Sequence, residues 1–384
     1  MWAKFMEGWN DGTAGPLLPT IQRFYKIGFT VISLIFVFGC TGFISGAVAN
    51  ITLAYKLGFG KALCIGALSQ LLAYCIQAFG PPFLVFALAY IFSGFGIALQ
   101  NAQSTCFVVN LNNHSAAKMG LLHASYGTGA LVAPLVATQF STMRHWSFHF
   151  LASLGGAAIN VLCLFLVFKL QPLNTILETT GQTVRQQTVS QDNHYSQILK
   201  MKVVHLIAFF ILAYVGVEVT IGGWIVTFVI NERGGGASSG YLSSGFFAGL
   251  TLGRICLLWL NKVIGVRRVI WLYILLSIGL EITIWFVPSL VENAIAVAFV
   301  GLFLGPIYPI VMTLTGHLVP NLLVSGAVGW IAVIGQAGSS LLPFISGAMA
   351  SKFGVMSLQP LVVTVLGVMV GLWAVVPPDQ HHSD

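Results

Sequence analysis

The chain has 384 residues; 57% are hydrophobic and only 7% carry a formal charge. A soluble domain carries roughly 25% charged residues, and so few charges could not cover a compact soluble protein of this size. That excludes a soluble enzyme, a nucleic-acid binder and a disordered scaffold, and the net charge of +7 reads as basic loops between membrane spans.

A bilayer core of about 30 Å takes roughly 20 apolar residues per helix. In chain order, apolar runs lie near 27–54, 62–79, 83–110, 118–140, 147–169, 203–230, 239–260, 268–287, 292–318, 323–350 and 356–376. They are long and continuous, so they predict helices rather than the alternating strands of a barrel. Residues 1–21 form a weaker twelfth candidate holding Lys4, Glu7 and Asp11, expected to be short and missing or frayed over its N-terminal half. The first residues lack the apolar core of a cleavable signal. Lys4, Lys56, Lys61, Lys118, Lys169, Arg185, Lys200, Lys202, Lys262, Arg267 and Arg268 fall at the chain start and in the even-to-odd loops; Arg23, Lys26, Arg144, Arg233 and Lys352 fall on the other side. This bias of about two to one places both termini in the cytoplasm. The polar stretch 171–202 separates six spans from six, giving halves 1–170 and 203–384 joined by a linker expected to be a mobile loop. His381 and His382 belong to a polar tail. The six cysteines sit in apolar runs with no C-x-x-C pair, the pattern of small buried hydrophobes.

The halves repeat. Gly15 and Gly222, Gly46 and Gly253, and Gly58 and Gly265 are each 207 residues apart, as are Asp11 and Glu218. Gly129-x4-Pro134 recurs as Gly338-x4-Pro343 at an offset of 209. Such six-helix repeats build many secondary transporters, with the solute site expected at the interface of the halves near mid-membrane.

Several motifs carry a family likeness: Gly8-Trp-Asn-Asp11-Gly-x-x-Gly15-Pro-Leu-Leu-Pro19, Tyr55-Lys-Leu-Gly58-Phe-Gly60-Lys61, Tyr126-Gly-x-Gly129-x4-Pro134, Gly216-x-Glu218-x3-Gly222-Gly-Trp224, Gly253-Arg254 with Gly265-x-Arg267-Arg268, and Gly305-Pro-Ile-Tyr308-Pro309. With these the sequence resembles the major facilitator superfamily, and within it is similar to fungal members of the fucose/glucose–proton symporter-like group. The resemblance implies an all-α, twelve-helix bundle of two six-helix repeats working by alternating access. It also implies charge pairing at the cytoplasmic helix ends, for which Lys56, Lys61, Arg254, Arg267 and Arg268 are the gating candidates. Two positions depart from the family: Tyr55 stands where the loop after helix 2 usually has Asp, and helix 4 offers Gln100, Asn101 and Gln103 where the fucose permease has a functional Glu.

Ionisable groups inside a membrane are expensive and usually functional, so Asp11 and Glu218 are the leading candidates, for proton coupling or for accepting substrate hydroxyls. Glu281, on helix 9, is expected in a local structural pair. Gln100, Gln103 and Ser104 share one helical face; amides and rings on a cavity would hold a neutral polyol. Asn10, Gln100, Asn101, Gln103 and Gln336, with His123, Tyr126, Trp224, Tyr308 and Trp330, are the substrate-binding candidates. Trp224 stands out because Gly222-Gly223 beside it would let backbones approach closely or the helix break. The glycine pairs 42/46, 249/253 and 367/371 read as packing devices. Gly236-Ala-Ser238-Ser-Gly240 lies in a loop with no preceding strand, so it is not a nucleophile elbow, and the sequon at Asn113 falls on the cytoplasmic side. No enzyme, cofactor, metal or nucleotide motif is present. The reading is a monomeric secondary transporter of a small polar organic solute, a sugar first, with protons as the coupling partner, in the plasma membrane or an internal one. An exporter of amphipathic compounds and a transport-inactive membrane sensor are the alternatives.

Overall fold

A computed structural model of the chain describes residues 1–111, 115–179, 194–320 and 323–377; the Asn113 sequon, residues 180–193 of the polar linker with Arg185, and the His381–His382 tail lie outside these. With no water in the bilayer core, each backbone amide must bond within its own helix. The chain accordingly forms α1 (Trp2–Tyr25), α2 (Phe29–Leu57), α3 (Phe59–Ala78), α4 (Phe83–Val109), α5 (Ser115–Ser141), α6 (His149–Phe168), α7 (Lys202–Glu232), α8 (Ala237–Cys256 and Leu258–Ile264), α9 (Val266–Phe286), α10 (Leu290–Leu318), α11 (Val324–Phe353) and α12 (Leu358–Val375). α8 bends by 54° at its break. Among the described residues, ten helices are long and apolar enough to cross a membrane, eleven with α8 counted as one span.

α1 is not frayed: it is a continuous 24-residue helix, about 36 Å at 1.5 Å per residue. It is less apolar than the other spans through its composition, which mixes Glu7, Asn10 and Asp11 with glycines and prolines, not through its length. Its partner in the repeat, α7, has 31 residues and runs unbroken through Gly222-Gly223, so of the two alternatives at Trp224 the helix break does not occur.

The chain divides into two compact units, Met1–Gln187 and Thr188–Asp384. Within each, the same glycines bring the same helices together. Gly42 of α2 lies against the Ile91 carbonyl of α4 and Gly46 against that of Phe95; in the other unit Gly249 of α8 lies against the Ala298 carbonyl of α10 and Gly253 against that of Leu302. Gly129 of α5 meets the backbone of Phe5 and Trp9 in α1, and Gly338 of α11 meets that of Leu212 and Gly216 in α7. At these points a Cβ would collide with backbone, so only glycine lets the helices approach this closely. Gly367 and Gly371 differ: nothing lies within 4 Å of a Cβ built there, so this pair is no packing seam within the chain.

Two more expectations fail. The linker is not loop throughout: Leu173–Thr179 and His194–Lys200 are helical. Ile176 of the first packs into a cluster with Phe59, Leu63, Cys64, Ala67 and Leu164, while the Gln171 carbonyl accepts from Gly60 N at 3.0 Å. Nor are all cysteines buried: Cys106, Cys163 and Cys256 are exposed, and all six are free.

Candidate functional site

In the first unit the polar side chains gather on α1. Lys4, Glu7 and Asp11 are spaced three and four apart, which stacks them on one helical face. Lys4 is not a loop charge. It is 3% exposed, its Nζ is 2.7 Å from Glu7 Oε2, and it donates to Asn101 Oδ1 of α4 at 2.6 Å. A buried ammonium persists only with a partner and with its hydrogens engaged, and Glu7 and Asn101 meet those needs. One turn further, Asp11 is exposed. Its Oδ2 accepts from Tyr126 Oη of α5 at 3.0 Å and its Oδ1 from Asn10 Nδ2 at 3.3 Å. The structure thus brings Asn10 and Tyr126 to Asp11, and Asn101 to Lys4 two turns earlier on α1, with His123 exposed one turn before Tyr126.

Gln100 and Gln103 behave differently from Asn101. Both are buried. Gln103 Nε2 donates to Asn50 Oδ1 of α2 at 2.6 Å, and Gln100 bonds Gln70 of α3 and Asn160 of α6. Their amides tie helices together instead of lining an open face. Nearby, Trp9 donates to Ser153 Oγ at 2.8 Å and stacks on His149 of α6, whose Nε2 lies 3.0 Å from Thr13 Oγ1.

In the second unit Glu218 of α7 is 9% exposed. Tyr214, one turn earlier, and Arg254 of α8 are the groups that bear on its carboxyl. Tyr214 faces both, with its buried hydroxyl outside normal hydrogen-bonding geometry, and its ring tilts against Tyr308 of α10 at 6.1 Å. Arg254 Nε also donates to the Gly305 carbonyl of α10 at 3.3 Å. Arg254 therefore belongs to the Glu218 cluster, not to the helix end with Arg267 and Arg268. Arg267 donates to the Val376 carbonyl at 2.6 Å and its own carbonyl accepts from Trp373 Nε1 at 3.1 Å, joining α9 to the end of α12. Arg268, Lys56 and Lys61 are exposed.

The rings divide. Trp224 is 1% exposed and donates to the Pro343 carbonyl of α11 at 3.1 Å, so it clamps two helices and offers no platform. Trp330 of α11 stands edge-on to His205 of α7 at 6.2 Å, with its Nε1 unbonded. Gln336 donates to Ser339 Oγ at 3.0 Å. Glu281 is 1% exposed, and its Oε1 has no hydrogen-bond partner in place of the expected local pair. No three metal-ligating side chains cluster among the described residues.

Sequence reasoning missed Lys4 as a buried residue, and with it Glu7, Gln70, Tyr74, Asn160 and Tyr214. The spacing of Lys4, Glu7 and Asp11 was the available signal: three ionisable residues on one helical face predict mutual pairing.

The model of the Major Facilitator Superfamily matches residues 1–279; the chain belongs to that superfamily, and is a membrane transporter and not an enzyme. It is 23% identical over 397 residues to Bypass of stop codon protein 6 of Saccharomyces cerevisiae, covering 96% of this chain and 80% of that one. It is 21% identical over 369 residues to the glucose/mannose transporter GlcP of Bacillus subtilis, covering 94% and 89%. A crystal structure of a D-xylose-proton symporter superposes with a TM-score of 0.79 at 11% identity, over 99% of this chain and 97% of that one.

Proposed function

We propose that the chain moves a small polar organic solute, a sugar first, by alternating access, with Asp11 and Glu218 as the proton-coupling acids. The observation that carries this is the pairing of repeats with chemistry. The equivalent helices α1 and α7 each hold one carboxyl at the same repeat position, and each carboxyl faces a tyrosine, Tyr126 or Tyr214. Intramembrane acids set in this way mark ion and substrate pathways. The sugar class is supported by the similarity to GlcP and to the xylose–proton symporter fold. Substrate contacts fall to Asn10, Asn101, His123, Tyr126, Tyr308, Trp330 and Gln336, since Gln100, Gln103 and Trp224 are committed to helix packing. Lys56, Lys61 and Arg268 remain the gating candidates at the helix ends. Both termini are cytoplasmic; without Lys4 the basic bias still stands at about two to one.

The test is uptake into proteoliposomes under an imposed pH gradient. Asp11→Asn and Glu218→Gln each lower gradient-driven accumulation by about tenfold or more, while sugar counterflow, which needs no net proton movement, persists. Unchanged accumulation in both variants overturns the coupling role; absence of saturable sugar flux overturns the substrate class.

A further inference from the structure

A run of hydrogen bonds crosses the first unit from α6 to α1, and every bond points the same way. Asn160 Nδ2 donates to Gln100 Oε1 at 2.6 Å, and Gln100 Nε2 to Gln70 Oε1 at 3.0 Å. Gln70 Nε2 donates to Tyr74 Oη at 3.1 Å, Tyr74 Oη to Asn10 Oδ1 at 3.3 Å, and Asn10 Nδ2 to Asp11 Oδ1 at 3.3 Å. Gln70, Tyr74, Gln100 and Asn160 are at most 3% exposed.

The direction is fixed, not arbitrary. Gln100 Nε2 also reaches the Gly96 carbonyl at 3.2 Å, and Gln70 Nε2 the Met6 carbonyl at 3.3 Å. Of an amide's two ends only the NH2 can face a backbone carbonyl, so neither amide can turn over without setting two acceptors face to face. Tyr74, receiving from Gln70, keeps its single hydrogen for Asn10. Asn10 then turns its oxygen to Tyr74 and its NH2 to the carboxylate. At the far end Asn160 Oδ1 is buried without a partner, so the chain begins on an acceptor and ends on an anion.

We propose that Gln70, Tyr74, Gln100 and Asn160 are positioning residues for Asp11: a polarised chain that holds an N–H on its carboxylate and so sets the pH at which Asp11 is protonated. Amides do not relay protons, so the proton reaches Asp11 from its exposed side. The other titratable groups on helices packed at this level are Lys4 and Glu7 on α1, Tyr126 and His123 on α5, His149 on α6, and on α4 the buried Tyr90, which bears on Tyr74. The consequence for transport rests on the reading of Asp11 as a coupling acid, but the positioning itself does not.

Infrared difference spectra of the purified full chain in lipid test it, with the Asp11 carboxyl band assigned by its loss in Asp11→Asn. Gln100→Leu and Tyr74→Phe each move the titration midpoint of that band upward by about half to one pH unit, because the anion loses an aligned donor. Gln103→Leu, which removes an equally buried amide bonded to Asn50 on the same helix, leaves it in place. A midpoint unmoved by Gln100→Leu and Tyr74→Phe, or moved equally by Gln103→Leu, overturns the proposal. If the midpoint moves while Asp11→Asn transports normally, the chain stands and the coupling role falls.

Discussion

The two units share a skeleton and differ in chemistry. Their glycine seams match residue for residue, Gly42 and Gly46 against Gly249 and Gly253, and Gly129 against Gly338. Around the matched acids the surroundings diverge. Asp11 sits above a pair of buried Lys4 and half-buried Glu7 and takes two side-chain donors, whereas Glu218 lies buried with Tyr214 and Arg254. Tyr126 comes to Asp11 from another helix, α5, while Tyr214 comes to Glu218 from one turn back on its own. Backbone approach leaves no room for drift, since any side chain at a seam glycine meets a carbonyl. Side-chain chemistry at the acids is not constrained in that way, so duplicated halves can keep one geometry while their polar groups specialise.

The largest effect that would break this contrast is at Lys4. Lys4→Met leaves Glu7 without its ion-pair partner and Asn101 without its donor, and costs about 3 kcal/mol, the low end of the penalty for breaking a buried pair because Glu7 is only part-buried. Lys4→Met with Glu7→Gln recovers most of it. Thermal unfolding in detergent measures both, and equal losses in the single and double variants would show that the pair is not what holds α1 to α4. A smaller effect sharpens the shared skeleton. Gly42→Val and Gly249→Val each destabilise by about 1–3 kcal/mol through overpacking, and by the same amount within about 0.5 kcal/mol; a large inequality would mean the seams carry different weight. The smallest expected effect is at Trp224. Trp224→Phe loses the bond to the Pro343 carbonyl and about 1 kcal/mol of stability, with sugar affinity unchanged. A weakened affinity at full stability would return Trp224 to the binding surface.

Span number, the helical class and the repeat were legible because lipid imposes long apolar runs and because glycines at helix contacts leave a spacing in the sequence. Asp11 and Glu218 were legible as rare intramembrane charges. What the sequence hid was partnership. Lys4 reads as an N-terminal basic residue until α4 is placed beside it and Asn101 meets its ammonium. Gln100 and Asn101 are neighbours in sequence with the same polarity, yet Gln100 is buried among helices and Asn101 meets the α1 ion pair, because a step of one residue turns a helix by about 100°. Trp224 read as a platform from its glycines; the continuous helix and the Pro343 carbonyl beside it made it a clamp.

The docked helix Leu173–Thr179 has a practical consequence for dividing the molecule. Its Ile176 sits among Phe59, Leu63 and Leu164, and Gln171 caps the start of α3 through Gly60. Severing the polypeptide at residue 170 to co-express the halves would strip an apolar lid from the first fragment and leave a sticky patch on it. A cut placed beyond Thr179 keeps that lid with the fragment it covers.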